Sequence, residues 1–294
     1  IWRLAISALA FLAIYIIPRW GGRYPYWDTA LQITKLPSWI WSFGGFDGVH
    51  YLRIAQNGYS SAYSQAFFPL YPLLIRFINI FPKNQTLDLQ VFVDPSFFYT
   101  GLILSNVFFL VAMFYFYKLL RQDFAKKVSF WSVILLLVFP TSFYFGAIYT
   151  ESLFLLLSIL CIYLTRKKNF ILAGIFAAMA SATRILGLTL LPLIFVELYL
   201  YFRSGKKIAI GEKIKSFLGV AIAPAGAVLY MIYLKITTGN YLYFLAVQPN
   251  FGAERSAKPF ILLPQVIYRY LKIFLSLPVT SMEFLNASLE FIFA

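Results

Sequence analysis

Between residues 95 and 236, apolar stretches alternate with short basic loops, and this alternation constrains the fold more than any other feature of the chain. A helix needs ~20 mostly apolar residues to cross the hydrocarbon core of a bilayer. The stretches 1–17, 95–117, 128–147, 151–165, 170–183, 185–202 and 216–236 meet or approach that length, with 151–165 and 170–183 short. Only 12% of the residues are charged and 61% are hydrophobic, whereas a soluble domain is roughly a quarter charged. A formal charge of +14 would point a soluble chain toward nucleic acid. On this apolar background it points to membrane lipids, and no nucleic-acid partner is expected. The expectation is an all-α, polytopic integral membrane protein in which residues 1–294 form one transmembrane domain.

The basic loops orient it. Lys118, Arg121, Lys126 and Lys127 form the first, and Arg166, Lys167 and Lys168 the second. Arg203, Lys206, Lys207, Lys213 and Lys215 form the third. Two spans separate each loop from the next, so all three share a face, and the excess of Lys and Arg makes it cytoplasmic. Residues 18–94 then start and finish outside as a large first outer loop with short interfacial helices. The apolar segment 66–82 should not cross, because a crossing would turn the first basic loop outward. Pro69, Pro72 and Arg76 also suit a half-buried helix. A second outer loop covers about 237–262, and Arg269 and Lys272 place 264–278 at the interface. The chain starts at Ile1 and is apolar at both ends, which reads as a fragment of a longer protein.

Some chemistry is excluded. One cysteine, Cys161, and one histidine allow no intramolecular disulfide and no zinc motif, although a divalent metal is not excluded. There is no Walker loop and no nucleotide-binding GxGxxG, so any group transfer must draw on a substrate already in the membrane. A transporter or lipid flippase is the alternative reading. It would need polar residues near the midplane, and the spans hold few charges beyond Arg184 and Glu197.

Three outer segments carry candidate residues. In WSFGGFDGVHYLRIAQNGY (41–59), Gly44 and Gly45 break the chain and 46–56 reads as a short amphipathic helix. Asp47, His50, Tyr51 and Ile54 fall on one of its faces. A carboxylate there can take a proton from a sugar hydroxyl, and a neighbouring His or Arg can bind phosphate. Asp47 capping its own helix is the competing reading. In FPTSFYFGAIYTESL (139–153), a tight outer turn, Thr150 is a natural N-cap and Glu151 a first-turn acid favoured by the helix dipole; alternatively Glu151 faces the same cavity as Asp47. In SATRILGL (181–188), Arg184 lies between two apolar spans, where an arginine is costly and a functional candidate by default. Glu197 is expected to pair with the basic loops, and Arg255 and Lys258 can meet an anionic head group. Asp28 has no evident partner.

FDGVHYLRIAQNGY, AFFPLYPLL, FPTSFYFGAIYTESLF and SATRILGL resemble, in wording and order, the PIG-V mannosyltransferases, across about residues 46–188. Phe46 stands where that family usually has Trp. The resemblance implies a GT-C-type transmembrane helix bundle and an inverting glycosyltransferase acting at the outer face. It implies a polyprenyl- or dolichyl-phosphate-linked sugar donor, a glycan or glycolipid acceptor, and no cofactor beyond that donor. It also implies that the base is an acid of the first outer loop, here Asp47. His50, Tyr51, Glu151, Arg184, Arg255 and Lys258 are then substrate-binding candidates. The brevity of the chain and its Lys, Ile and Phe usage suggest a bacterial or archaeal plasma membrane.

Overall fold

The computed structural model describes residues 1–16, 31, 37–80, 93–204, 208–251 and 262–293. Its helices are α1 (Trp2–Ile16), α2 (Ser38–Trp41), α3 (Asp47–Asn57), α4 (Leu70–Ile78), α5 (Pro95–Leu120), α6 (Lys126–Val138) and α7 (Glu151–Arg166). They continue as α8 (Phe170–Thr183), α9 (Leu190–Arg203), α10 (Ile210–Ile222), α11 (Ala225–Thr238), α12 (Tyr243–Ala246), α13 (Leu263–Ser276) and α14 (Met282–Phe293). The chain divides into two units, Ile1–Phe244 and Leu245–Ala294. In the second, α13 and α14 form a hairpin closed by Tyr270 and Phe274 against Phe291, with the Tyr270 hydroxyl donating to Glu290 at 3.1 Å.

Among the described residues of the first unit, two helical stretches are long and apolar enough to cross a bilayer, Pro95–Leu120 and Ile185–Arg203. Two bent pairs raise the number to four if each counts as one span. This is a multi-pass, all-α membrane architecture. At 1.5 Å per residue α5 is ~39 Å long, more than the ~30 Å hydrocarbon core. It starts sharply because Asp94 caps it, its carboxylate accepting from the Ser96 N–H at 2.7 Å, with Pro95 at the first position.

The sequence pattern misjudged continuity in two places. Residues 128–147 are not one straight span. Pro140 has no N–H to donate and pushes Phe139 into extended backbone. The 3₁₀ segment Pro140–Gly146 then leaves α6 at 83°. The stretch 139–153 is therefore a folded segment rather than a tight turn. The stretch 216–236 likewise bends by 41° where Pro224 separates α10 from α11. Within the segment 66–82, of which residues 81 and 82 lie outside the described residues, α4 has nine residues, ~13 Å of helix, too short to cross a bilayer by itself.

Helix α8 is the hub of the bundle. Lipid is as apolar as leucine, so helices in a membrane associate through close packing and hydrogen bonds. A Cβ on Gly174 would lie 1.9 Å from the Gly219 carbonyl oxygen, so α8 and α10 touch backbone to backbone. One step along, the Ser181 hydroxyl accepts from the Ala227 N–H at 3.1 Å, fastening α11.

The basic loops gather at one end. Arg166 grips Asp123 with two N–H groups, joining the first loop to the second. Lys168 pairs with Glu197 at 2.8 Å, as expected for that acid. Lys215, from the third loop, shares a cavity with Lys167 and Lys168.

Candidate active site

Three segments meet at the opposite end of α7, and the first is the entry to α3. The chain passes through the 3₁₀ turn Ser42–Gly44 and extended Gly45 to Phe46, whose φ of 49° and ψ of −120° lie outside the comfortable regions for an aromatic residue. Such strain costs ~1–3 kcal/mol and persists only where its surroundings enforce it. Phe46 is the N-cap and offers no side-chain acceptor. Asp47 is thus the first helical residue rather than its own cap, exposed and at the positive end of the helix dipole.

The second segment docks onto the first. The Ile148 N–H donates to the Phe43 carbonyl at 2.8 Å, and the Tyr149 hydroxyl donates to the Gly45 carbonyl at 3.1 Å. Ile148 is fully buried against Gly44, Gly48 and Gly101. A Cβ on Gly101 would lie 2.9 Å from its side chain. This docking sets Glu151, the first residue of α7, beside the start of α3. Thr150 occupies the N-cap position, yet its side chain makes no cap bond. Its hydroxyl accepts from Arg184 at 3.4 Å instead.

The third segment is the break after α8. Arg184 is extended (φ −153°, ψ 143°), and the Gly187 N–H closes back onto its carbonyl at 2.9 Å. A Cβ on Gly187 would sit 2.2 Å from the Ser181 nitrogen, so only glycine permits this fold-back. The break aims the guanidinium at Glu151, 2.6 Å away, with side-chain exposures of 37% and 30%.

Tyr51 lies among these groups. It is buried, and Asp47, Thr150, Glu151 and Arg184 all act on its hydroxyl, whose pKa is raised above the phenolic range mainly by burial. Arg184 feels both Glu151 and Asp47. Four of the expected residues, Asp47, Tyr51, Glu151 and Arg184, are therefore brought together. His50 stacks on Phe67 at 4.6 Å between ring centres. Burial, with a smaller contribution from Arg53, lowers its pKa to about 4. At neutral pH it offers a hydrogen-bonding ring and not the positive charge for a phosphate. Arg255, Lys258 and Asp28 lie outside the described residues. Among the described residues no three His, Cys, Asp or Glu side chains gather to hold a metal ion.

The cluster is anchored on the bundle. Ile148 packs on Gly101, and the Tyr71 hydroxyl, edge-on to Tyr51, reaches the Gly101 carbonyl at 3.2 Å and Ser105 at 2.6 Å. Gly101 is six residues into α5, ~9 Å below its first residue. The sixteen residues of α7 put ~22 Å between Glu151 and the basic end. The site thus packs against the first two turns of α5, through Phe98 beside Gly44 and Gly101 beside Ile148.

Arg3 was missed as a site residue. Its guanidinium lies 4.1 Å from the centre of the Phe43 ring and donates to the Gly146 carbonyl at 2.8 Å, joining the segments that carry Asp47 and Glu151. The signal was present: an arginine three residues into an apolar stretch. A groove of about 460 Å³ adjoins the site, lined by Ile54, Tyr59, Leu73, Arg76, Leu229 and Tyr230 among others. Ile54 is two turns from Asp47 on the same face of α3, ~10 Å away.

The description "Mannosyltransferase (PIG-V)" matches residues 32–273, which contain all three segments. GPI mannosyltransferase 2 of Drosophila pseudoobscura pseudoobscura is 25% identical over 251 residues, 81% of this chain and 51% of that protein. GPI mannosyltransferase 2 of Cryptococcus neoformans var. neoformans serotype D (strain JEC21 / ATCC MYA-565) is 27% identical over 244 residues, 78% of this chain and 55% of that protein. The chain spans about half the length of these relatives. No solved structure matches it. With its strained Asp47 turn, its Glu151–Arg184 pair and a family match over most of its length, the chain belongs to the PIG-V mannosyltransferase family.

Proposed function

We propose that this chain carries the active site of an inverting mannosyltransferase. It takes mannose from a polyprenyl- or dolichyl-phosphate-linked donor and delivers it to a hydroxyl of a glycan or glycolipid at the outer face. The observation that carries this reading is the convergence of Asp47, Tyr51, Glu151 and Arg184 from three separate segments into one cluster. Asp47 accepts the proton of the acceptor hydroxyl as its oxygen attacks the anomeric carbon. The bond from that carbon to the phosphate oxygen breaks, inverting the centre, and the phosphate leaves with its electron pair. Arg184 receives the charge that develops on the phosphate. Glu151 holds the guanidinium in place and is at hand for the acceptor. The adjoining apolar groove suits the lipid chain of such a donor, two helical turns from Asp47.

The relatives are named for mannose transfer, which favours mannose as the sugar. The test is Asp47→Asn in nanodiscs with a polyprenyl-phospho-mannose donor. The variant should bind donor as wild type does while its transfer rate falls ~10²–10⁴-fold, the usual contribution of a general base. A folded variant with wild-type turnover would overturn the assignment.

A further inference from the structure

At the basic end, ~22 Å along α7 from the candidate active site, a polar cavity of about 410 Å³ opens between the α7–α8 turn and the start of α10. Lys167, Lys168, Lys215, Tyr201 and the rim acid Glu212 line it. Lys168 is paired with Glu197, so among the described residues three ammonium groups face two carboxylates, a net positive charge. Phe170 and Ile171, the first residues of the fourteen-residue helix α8, also line it. The Asn169 side chain takes the third N–H of that helix, at Leu172, at 3.2 Å. The helix terminus adds a partial positive charge to that of the lysines.

The surroundings favour one class of anion. Residues next in sequence to the lining are apolar and exposed: Phe217 at 57% and Ile214 at 56% on α10, and Leu172 at 41% on α8. A soluble anion would use the charge and leave that apolar flank unexplained. An amphiphile uses both. We propose that this cavity holds the phosphate head group of an anionic membrane phospholipid, with its acyl chains along Ile214, Phe217 and Leu172. The site depends on the chain lying in a membrane and not on the transfer chemistry.

Native mass spectrometry of the detergent-purified protein, incubated with phosphatidylglycerol or phosphatidylcholine, tests it. Wild type should retain phosphatidylglycerol roughly tenfold better, in keeping with the attraction of each basic side chain for anionic lipid. Lys167→Glu with Lys215→Glu should abolish the preference, and the gentler pair Lys167→Gln with Lys215→Gln should weaken it. The matched change Lys118→Glu with Lys127→Glu, in the first basic loop, should leave it intact. Equal retention of the two lipids by wild type, or a preference surviving in the Lys167→Glu, Lys215→Glu protein, overturns the proposal. So does displacement of the lipid by millimolar inorganic phosphate, which would make the cavity a soluble-anion site.

Discussion

Two arginine–carboxylate pairs stand at opposite ends of α7, and they are almost equally exposed. Arg166 and Asp123 are 35% and 37% exposed, Arg184 and Glu151 37% and 30%. Exposure does not tell them apart. Their settings do. Arg166 and Asp123 join two loops among other lysines, where an exposed pair contributes little and serves topology. Arg184 and Glu151 meet at a helix break and a helix start, with Asp47 and Tyr51 in electrostatic reach. The role of an ion pair in this bundle is set by which other groups its field covers.

That contrast can be broken by substitution. After Asp47, the largest effect on transfer is expected at Arg184. Arg184→Gln removes the charge facing the leaving phosphate and should slow transfer ~10²–10³-fold. Arg184→Lys should recover only part of it, because the ammonium lacks the planar fork. If Arg166→Gln were as damaging, the division between the two ends would be wrong. Next comes packing. Gly174→Val forces α8 away from the Gly219 carbonyl and should destabilise the protein by ~1–3 kcal/mol or more, measurable as earlier thermal unfolding in detergent, whereas transfer per folded molecule should fall less than for Arg184→Gln.

A smaller effect concerns His50. Its folded pKa of about 4 lies below the ordinary histidine value of 6.5, so the unfolded chain binds the proton first as pH falls. This contribution is fully present above pH 6.5 and is lost progressively toward pH 4. Thermal unfolding between pH 7.5 and 4.5 should show the loss, and His50→Gln should flatten it. The smallest effect is that of Asp123→Asn, whose thermal unfolding in detergent should be close to that of wild type.

Much of this was legible in the sequence, for physical reasons. Apolar length and loop charge reveal spans because a bilayer imposes both. The face shared by Asp47, Tyr51 and Ile54 follows from helical period alone. Other features depend on contacts between distant segments. Pro140 and Pro224 were visible, but hydropathy averages over a bend and read each broken pair as a straight span. The docking of Ile148 onto Gly44, Gly48 and Gly101 joins segments far apart in the chain, and no local pattern encodes that. The stacking that buries His50 arises only once Phe67 folds beside α3. Arg3 is more than a hundred residues from Gly146, the partner that explains it.

The most direct measurement is the transfer of mannose from a polyprenyl-phospho-mannose donor by Asp47→Asn and Asp123→Asn, side by side in the same nanodiscs. Each substitution removes one carboxylate charge, one at each end of the bundle. The expected result is a loss of ~10²–10⁴-fold for Asp47→Asn and a rate within about twofold of wild type for Asp123→Asn. Equal rates for two folded variants would contradict the assignment of the chemistry to the cluster of Asp47, Glu151 and Arg184.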